Sequence, residues 1–265
     1  MPQFKTHAPG TACYVELVSP DPDGSRDFYM TLFGWDVRNE DLGEHGIYTQ
    51  FLKDGDVVAA LFKLSDEMAA AGTPPNWGVY LSVEDVDKEA ERAKDLGASV
   101  IMGPMDVFTH GRMTVLGDPQ GAVFCLWQAK DHLGVGCKDE PGALCWTEIM
   151  TSNAAAAVDF YSQFFGWTSQ EMPLGEGQPP YIILGPTPET PSTGLIEIQP
   201  EMGPIPPHWL AYFQVDDLAV THGKAVDLGA KSLMPPTDIP GGSQFCMIQD
   251  PQGAVCGIYQ AGPEA

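Results

Sequence analysis

Apolar and polar side chains alternate through Tyr14-Val15-Glu16-Leu17-Val18, a run rich in β-branched and aromatic types, and this predicts a strand. Asp21-Pro22-Asp23-Gly24-Ser25 then predicts a turn that opens a helix. Phe28, Tyr29, Leu32 and Phe33 fall on one helical stripe, and Gly34 ends it. Residues 47–52 and 57–62 predict two strands, joined by the hairpin turn Lys53-Asp54-Gly55-Asp56. A Pro- and Gly-containing connection over residues 64–76 leads to a strand over 78–83. Val86, Ala90, Ala93 and Leu96 make a second amphipathic helix stopped by Gly97. Residues 113–116 and 122–127 predict strands joined by Asp118-Pro119-Gln120-Gly121, whose Asp, Pro and Gly suit a type I turn.

The whole pattern then repeats. Asp27-Phe28-Tyr29 returns as Asp159-Phe160-Tyr161, and Phe33-Gly34-Trp35 as Phe165-Gly166-Trp167. Pro74-Pro75-Asn76-Trp77 returns as Pro206-Pro207-His208-Trp209, and Asp118-Pro119-Gln120-Gly121 as Asp250-Pro251-Gln252-Gly253. A repeat of this length is a duplicated domain, each copy large enough for its own core, and not a solenoid unit. Each half reads as β-α-β-β-β twice, so the chain holds four such modules. The expected domains are residues 1–133 and 134–265, with a Gly- and Pro-containing linker over about 130–142.

The 265 residues carry a net charge of −23, which argues against nucleic acid as a partner because phosphate binding needs clustered Lys and Arg. The acidic surface reads either as one that keeps the chain soluble or as a field that draws in cationic ligands. No apolar run is long enough for a membrane span, and the opening Met-Pro-Gln-Phe-Lys-Thr-His has no apolar core of a signal peptide. The six cysteines, at 13, 125, 137, 145, 246 and 256, show no CxxC spacing, and most sit in apolar strand-like runs. Reduced buried thiols and a cytoplasmic setting are the expectation. There is no Gly-rich phosphate loop, GxSxG or HExxH.

The order strand, Asp-Phe-Tyr…Phe-Gly-Trp, Val-Glu-Asp-Val-Asp…Leu-Gly-Ala, Asp-Pro-Gln-Gly-Ala-Val resembles the vicinal oxygen chelate superfamily, once in each half. That superfamily includes glyoxalase I, extradiol dioxygenases and bleomycin-resistance binding proteins. The paired Pro-Pro-x-Trp segments and the two-domain length resemble, more narrowly, an actinobacterial-type group labelled glyoxalase-like or hydroxylase, some of it tied to polyketide antibiotic pathways. The resemblance implies an α+β fold in which tandem βαβββ modules form curved mixed sheets. It also implies cup-like cavities whose concave faces are the sites.

Metal enzymes of the superfamily set His or Glu at matching points of paired modules. Counted from the matching motifs, those points fall on Tyr14, Gly78 and Cys125 in the first half and on Trp146, Leu210 and Gly257 in the second. None is His, Asp or Glu, and a lone Cys does not hold a hard cation. Glu197 stands near the fourth point of the second half, where the first half has Lys63. A register slip of two residues would bring in Glu16, Glu148 or His208. No metal and no cofactor is therefore the expectation, with a divalent ion as the alternative.

Strand alternation places Tyr14, Glu16 and Val18 on one face, and Trp146, Glu148 and Met150 on its counterpart. Asn76, Gly78, Tyr80 and Ser82 share a face, as do His208, Leu210, Tyr212 and Gln214. Trp77 and Trp209 are out of phase and belong to core or rim. The cup so described is lined by aromatic rings with a carboxylate near its floor. Candidate ligand-binding residues are Tyr14, Glu16, Asn76, Tyr80, Arg112 and Cys125, with Trp146, Glu148, His208 and Tyr212. Arg112 is placed to pair with Glu16 or with surface acids. Among the other histidines, His45 and His110 read as weak cup-mouth candidates, His132 as a linker residue and His222 as a structural helix residue. The expected function is metal-independent binding or sequestering of a small hydrophobic or aromatic metabolite carrying a hydroxyl or cationic group. The alternatives are a glyoxalase-, dioxygenase- or hydroxylase-like enzyme, with a divalent metal or with Glu16 or Glu148 as general base, and a protein whose cups are filled by their own rings. The expected assembly is a monomer or a homodimer.

Overall fold

The computed structural model describes residues 6–43, 46–175 and 177–263, so His45 lies outside the described residues. The first half runs β1 (Ala12–Ser19), α1 (Pro22–Phe33), β2 (Asp36–Asp41), β3 (Ile47–Lys53), β4 (Asp56–Lys63), α2 (Asp66–Ala70) and β5 (Asn76–Ser82). It continues with α3 (Val86–Asp95), β6 (Ser99–Val107), β7 (Gly111–Gly117) and β8 (Val123–Ala129). The second half runs β9 (Leu144–Thr151), α4 (Ala154–Phe165), β10 (Thr168–Met172), β11 (Tyr181–Gly185), β12 (Thr193–Glu197) and β13 (His208–Gln214). It ends with α5 (Leu218–Asp227), β14 (Lys231–Asp238), β15 (Gln244–Gln249) and β16 (Val255–Gln260).

Each half forms one mixed eight-stranded sheet, in the orders β2-β3-β4-β1-β5-β8-β7-β6 and β10-β11-β12-β9-β13-β16-β15-β14. The first strands of the two modules, β1 and β5, lie antiparallel at the centre, as do β9 and β13. Modules therefore pair within each half. The helix α1 begins where the Asp21 carboxylate accepts the Gly24 N–H, and it ends at Gly34, whose φ of 74° suits a residue without Cβ. Asn153 and Gly166 repeat both devices in α4.

The sheets pack back to back. Val15, Leu17, Trp77, Val79 and Leu81 point from β1 and β5 into a core shared with Trp209, Ala211 and Phe213 of β13. The Trp77 and Phe213 rings sit 5.0 Å apart across that plane. Two matching relays cross the junction. The Trp77 indole donates to the Tyr29 hydroxyl, which donates to Asp250 of the other half, at 2.9 and 3.0 Å. Trp209 donates to Tyr161, which donates to Asp118, at 2.9 Å each. The repeated Tyr, Trp and Asp motifs thus build the joint between the halves. Trp77 and Trp209 are core residues.

The even positions of β1 and β5 face the other way. Tyr14, Tyr80, Cys125, Trp127 and Met113 form a separate cluster on the concave face of the first sheet, joined by Val135 from the linker. The linker is tied to that sheet, since the Val135 N–H donates to Cys13 O and the Gly136 N–H to Val57 O.

Candidate functional site

The concave face of the first sheet holds a hollow of about 90 Å³ that is open at its mouth. Glu16 lies at its floor and is 8% exposed. The Tyr48 hydroxyl donates to Glu16 Oε1 at 2.6 Å, and the Tyr80 hydroxyl donates to Oε2 at 2.5 Å. Tyr14 and Tyr48 are linked hydroxyl to hydroxyl at 3.1 Å. Burial raises the Glu16 carboxyl above its ordinary 4.5, and the two phenol hydrogen bonds oppose that rise without cancelling it. Each carboxylate oxygen keeps a second lone pair for a guest. Burial and the Glu16 charge push Tyr48 and Tyr80 well above 10.0, so both stay protonated donors.

The walls are Trp127, Met113 and His132, and Leu42, Glu40, Phe108 and His110 ring the mouth. His132 belongs to the linker. Its ring meets Tyr14 edge-on at 4.7 Å, and its carbonyl accepts the Trp127 indole at 3.0 Å. Burial foremost lowers the His132 imidazole to about 4, so it is neutral near pH 7.

The second cup repeats this set. The Tyr212 hydroxyl donates to Glu148 at 3.1 Å, and Tyr181 also interacts with that carboxylate. Glu148 is 9% exposed, and burial raises its carboxyl too. The Trp146 indole donates to Tyr181 at 2.9 Å. Beneath these rings the sheet carries glycine. A Cβ on Gly194 would meet the Tyr181 hydroxyl, 1.8 Å away, and one on Gly257 would meet the Tyr212 ring at 2.0 Å. At the matching points of the first half stand Ala60, beside Glu16 on β4, and Cys125, beside Tyr80 on β8. The rings of the second cup therefore rest deeper on its floor.

Of the residues picked from sequence, Tyr14, Glu16 and Tyr80 line the first hollow, with Cys125 packed behind Tyr80. Trp146, Glu148 and Tyr212 come together in the second half. Three do not join either group. Arg112 faces away from Glu16, because the next residue, Met113, faces the cup; its guanidinium donates twice to Asp87, at 2.7 and 2.8 Å, and reaches Asp106. Asn76 and His208 tie down the Pro-Pro turns, donating to Pro74 O and Pro206 O at 2.7 and 2.9 Å. Glu197 accepts the Ala154 N–H at the start of α4 and caps that helix. His222 sits on the surface against Ser232. His110 stands at the mouth, 3.9 Å from Glu40.

Tyr48, Tyr181, Trp127 and His132 were not singled out from sequence. Tyr48 and Tyr181 come from matching strands of the two halves, so a tyrosine shared by both copies was the signal available.

The donors do not suit a divalent ion. The residues beside Glu16 in the sheet are Ala60 and Gly78, and the next row holds phenols and a thiol. Burial pushes the Cys125 thiol far up, which disfavours the thiolate a metal needs. Among the described residues no group of three His, Cys, Asp or Glu could hold a metal. All six cysteines are unbridged. No described helix is long and apolar enough to cross a membrane.

The family described as Glyoxalase/Bleomycin resistance protein/Dioxygenase superfamily matches residues 12–126 and 143–256. "Putative glyoxylase CFP32" of Mycobacterium tuberculosis is 34% identical over 265 residues, covering 100% of both chains. "Anthracycline biosynthesis protein DnrV" of Streptomyces peucetius is 35% identical over 257 residues, covering 93% of this chain and 92% of its own. Among solved structures, the 2,3-dioxygenase LapB of Pseudomonas sp. KL28 superposes with a TM-score of 0.67 at 12% identity, over 98% of this chain and 96% of its own. The Mn(II)-bound glyoxalase of Novosphingobium aromaticivorans gives 0.66 at 17% identity, over 96% and 83%. At such identities these two likenesses speak for the fold alone.

Proposed function

The chain belongs to the Glyoxalase/Bleomycin resistance protein/Dioxygenase superfamily, and from that premise we propose that its first cup binds a flat, hydroxylated aromatic metabolite without a metal. The observation that carries this reading is Glu16, a buried carboxylate held by two phenols at the floor of an open aromatic hollow. A cavity of about 150 Å³ takes a benzene ring, and this hollow measures about 90 Å³. Only a ring edge with its substituent enters, therefore, and the body of the guest lies in the mouth. A guest hydroxyl or ammonium donates to a spare lone pair of Glu16, while Trp127 and Tyr14 cover its apolar surface. Polycyclic polyketides have this chemistry, and the kinship with an anthracycline biosynthesis protein agrees with it.

We assign binding to the first half, residues 1–133, because the rings of the second half, residues 134–265, rest on their own floor. The test is titration with 2,6-dihydroxyanthraquinone, whose hydroxyls are free to donate, followed through tryptophan fluorescence, to which Trp127 in the wall of the hollow contributes. Saturable quenching is expected, weakened about tenfold or more in Glu16→Gln, since a hydrogen bond to a charged group contributes about 1.5–3 kcal/mol. Quenching that is absent, or unchanged in Glu16→Gln, would sink the reading.

One observation favours a second reading. A buried carboxyl with raised pKa inside a cavity suits a general base that takes a proton from a carbon acid, with Tyr48 and Tyr80 as donors to the developing charge. Deuterium uptake from heavy water into a bound ketone, abolished by Glu16→Gln, is the outcome that reading requires.

A further inference from the structure

Among the described residues, the non-glycine residues with positive φ are Asp54, Phe108 and Asp139. Aspartate tolerates that conformation, whereas a bulky side chain there is a true outlier. Phe108 adopts a φ of 47°, and its ring is 59% exposed. Burial of the ring therefore does not offset the strain. In the matching turn of the second half the position of Phe108 is Pro240, and the positive angles fall on Gly241 and Gly242, at 91° and 80°. That turn is made with small residues and no aromatic ring.

The turn around Phe108 is firmly held. Lys130 and His132 N–H both donate to His110 O at 3.0 Å, and the Asp131 N–H donates to Thr109 O at 3.3 Å. The same linker segment thus pins the turn and supplies His132 to the hollow. Phe108 stands at the mouth of that hollow, beside His110, with ring centroids 6.2 Å apart. Strain of this kind persists at ligand clamps, where the surroundings over-determine it.

We infer that Phe108 is the ring that covers the part of a fused aromatic guest left outside the hollow, and so sets a preference for multi-ring over single-ring ligands. This rests on the proposed binding at Glu16. The hollow of about 90 Å³ leaves most of a fused guest to find its contacts at the mouth, where Phe108 stands. An offset or edge-to-face pair with Phe108 supplies them.

The test compares 2,6-dihydroxyanthraquinone with resorcinol, by calorimetric titration of the wild type, Phe108→Gly and Phe108→Trp. Phe108→Gly is expected to weaken the three-ring probe about threefold to tenfold. It should leave resorcinol within about twofold, and Phe108→Trp should restore the three-ring affinity. Thermal unfolding of Phe108→Gly is expected at or above the wild-type temperature, because glycine accepts the positive φ. Unchanged three-ring affinity in Phe108→Gly overturns the inference while binding at Glu16 stands. Equal loss for both probes, or a marked drop in unfolding temperature, also overturns it by making Phe108 a structural residue. If the wild type binds neither probe, the binding reading fails first and this role fails with it.

Discussion

The first cup sets Glu16, Tyr48, Tyr80 and Tyr14 around an open hollow, and the second sets Glu148, Tyr181, Tyr212 and Trp146 in the matching places. The polar groups are nearly the same. What differs is the floor, where Ala60, Cys125 and Gly78 of one half answer Gly194, Gly257 and Leu210 of the other. The two glycines let the Tyr181 hydroxyl and the Tyr212 ring rest directly on the sheet of the second half. A duplicated domain can thus keep its fold-level motifs while the sites diverge through residues that carry no chemistry. The joint between the halves behaves in the opposite way, with Trp-Tyr-Asp relays kept in both copies.

The largest effect should come from restoring a side chain to the second floor. Gly257→Cys puts a Cβ 2.0 Å from the Tyr212 ring. Overpacking of this kind costs about 1–3 kcal/mol, so scanning calorimetry should show a clear fall in Tm. Gly194→Ala should act alike through Tyr181. An unchanged Tm in both would mean that the rings are loose and the two cups alike.

Where the halves match, their variants should match. Tyr29→Phe leaves the Trp77 indole without its acceptor, and Tyr161→Phe does the same to Trp209, while Asp250 and Asp118 keep their backbone N–H partners. Each buried orphan costs about 1–3 kcal/mol, so the two variants should lose similar stability in denaturant titrations. A loss confined to one would break the pseudo-symmetry of the joint.

A smaller effect concerns pH. Glu16 and Glu148 both have folded-state pKa values above the ordinary 4.5, with burial as the leading cause. Above that value the folded protein holds a proton that the unfolded chain has released, so stability falls as pH rises through the window from 4.5 to the raised pKa. Glu16→Gln and Glu148→Gln should each flatten the fall of Tm with pH over that window. A steeper fall in either variant would contradict the assigned direction.

The facing of the strands could be read from the chain, for physical reasons, whereas the contrast between the two floors could not. Period-2 alternation put Tyr14 and Glu16 on one face and Val15 and Leu17 on the other, because each sheet buries both faces against different things. The edge strands β2 and β6 were not picked out, since their exposed residues carry no apolar alternation. The one-turn helix α2 lies in the connection over residues 64–76 and buries no side chain, so it left no stripe. Tyr48 and His132 escaped because their contacts with Glu16 and Tyr14 are long-range, from another hairpin and from the linker. Arg112 was ambiguous because so many acids surround it, and only the facing of β7 directs it to Asp87.

The most direct test of the central claim is binding stoichiometry, measured by calorimetric titration of the wild type, Glu16→Gln and Glu148→Gln with 2,6-dihydroxyanthraquinone. One probe per chain is expected, weakened about tenfold or more by Glu16→Gln and changed less than about twofold by Glu148→Gln. Two equal sites per chain, or a loss that follows Glu148 in place of Glu16, would contradict the division of the molecule into one open and one filled cup.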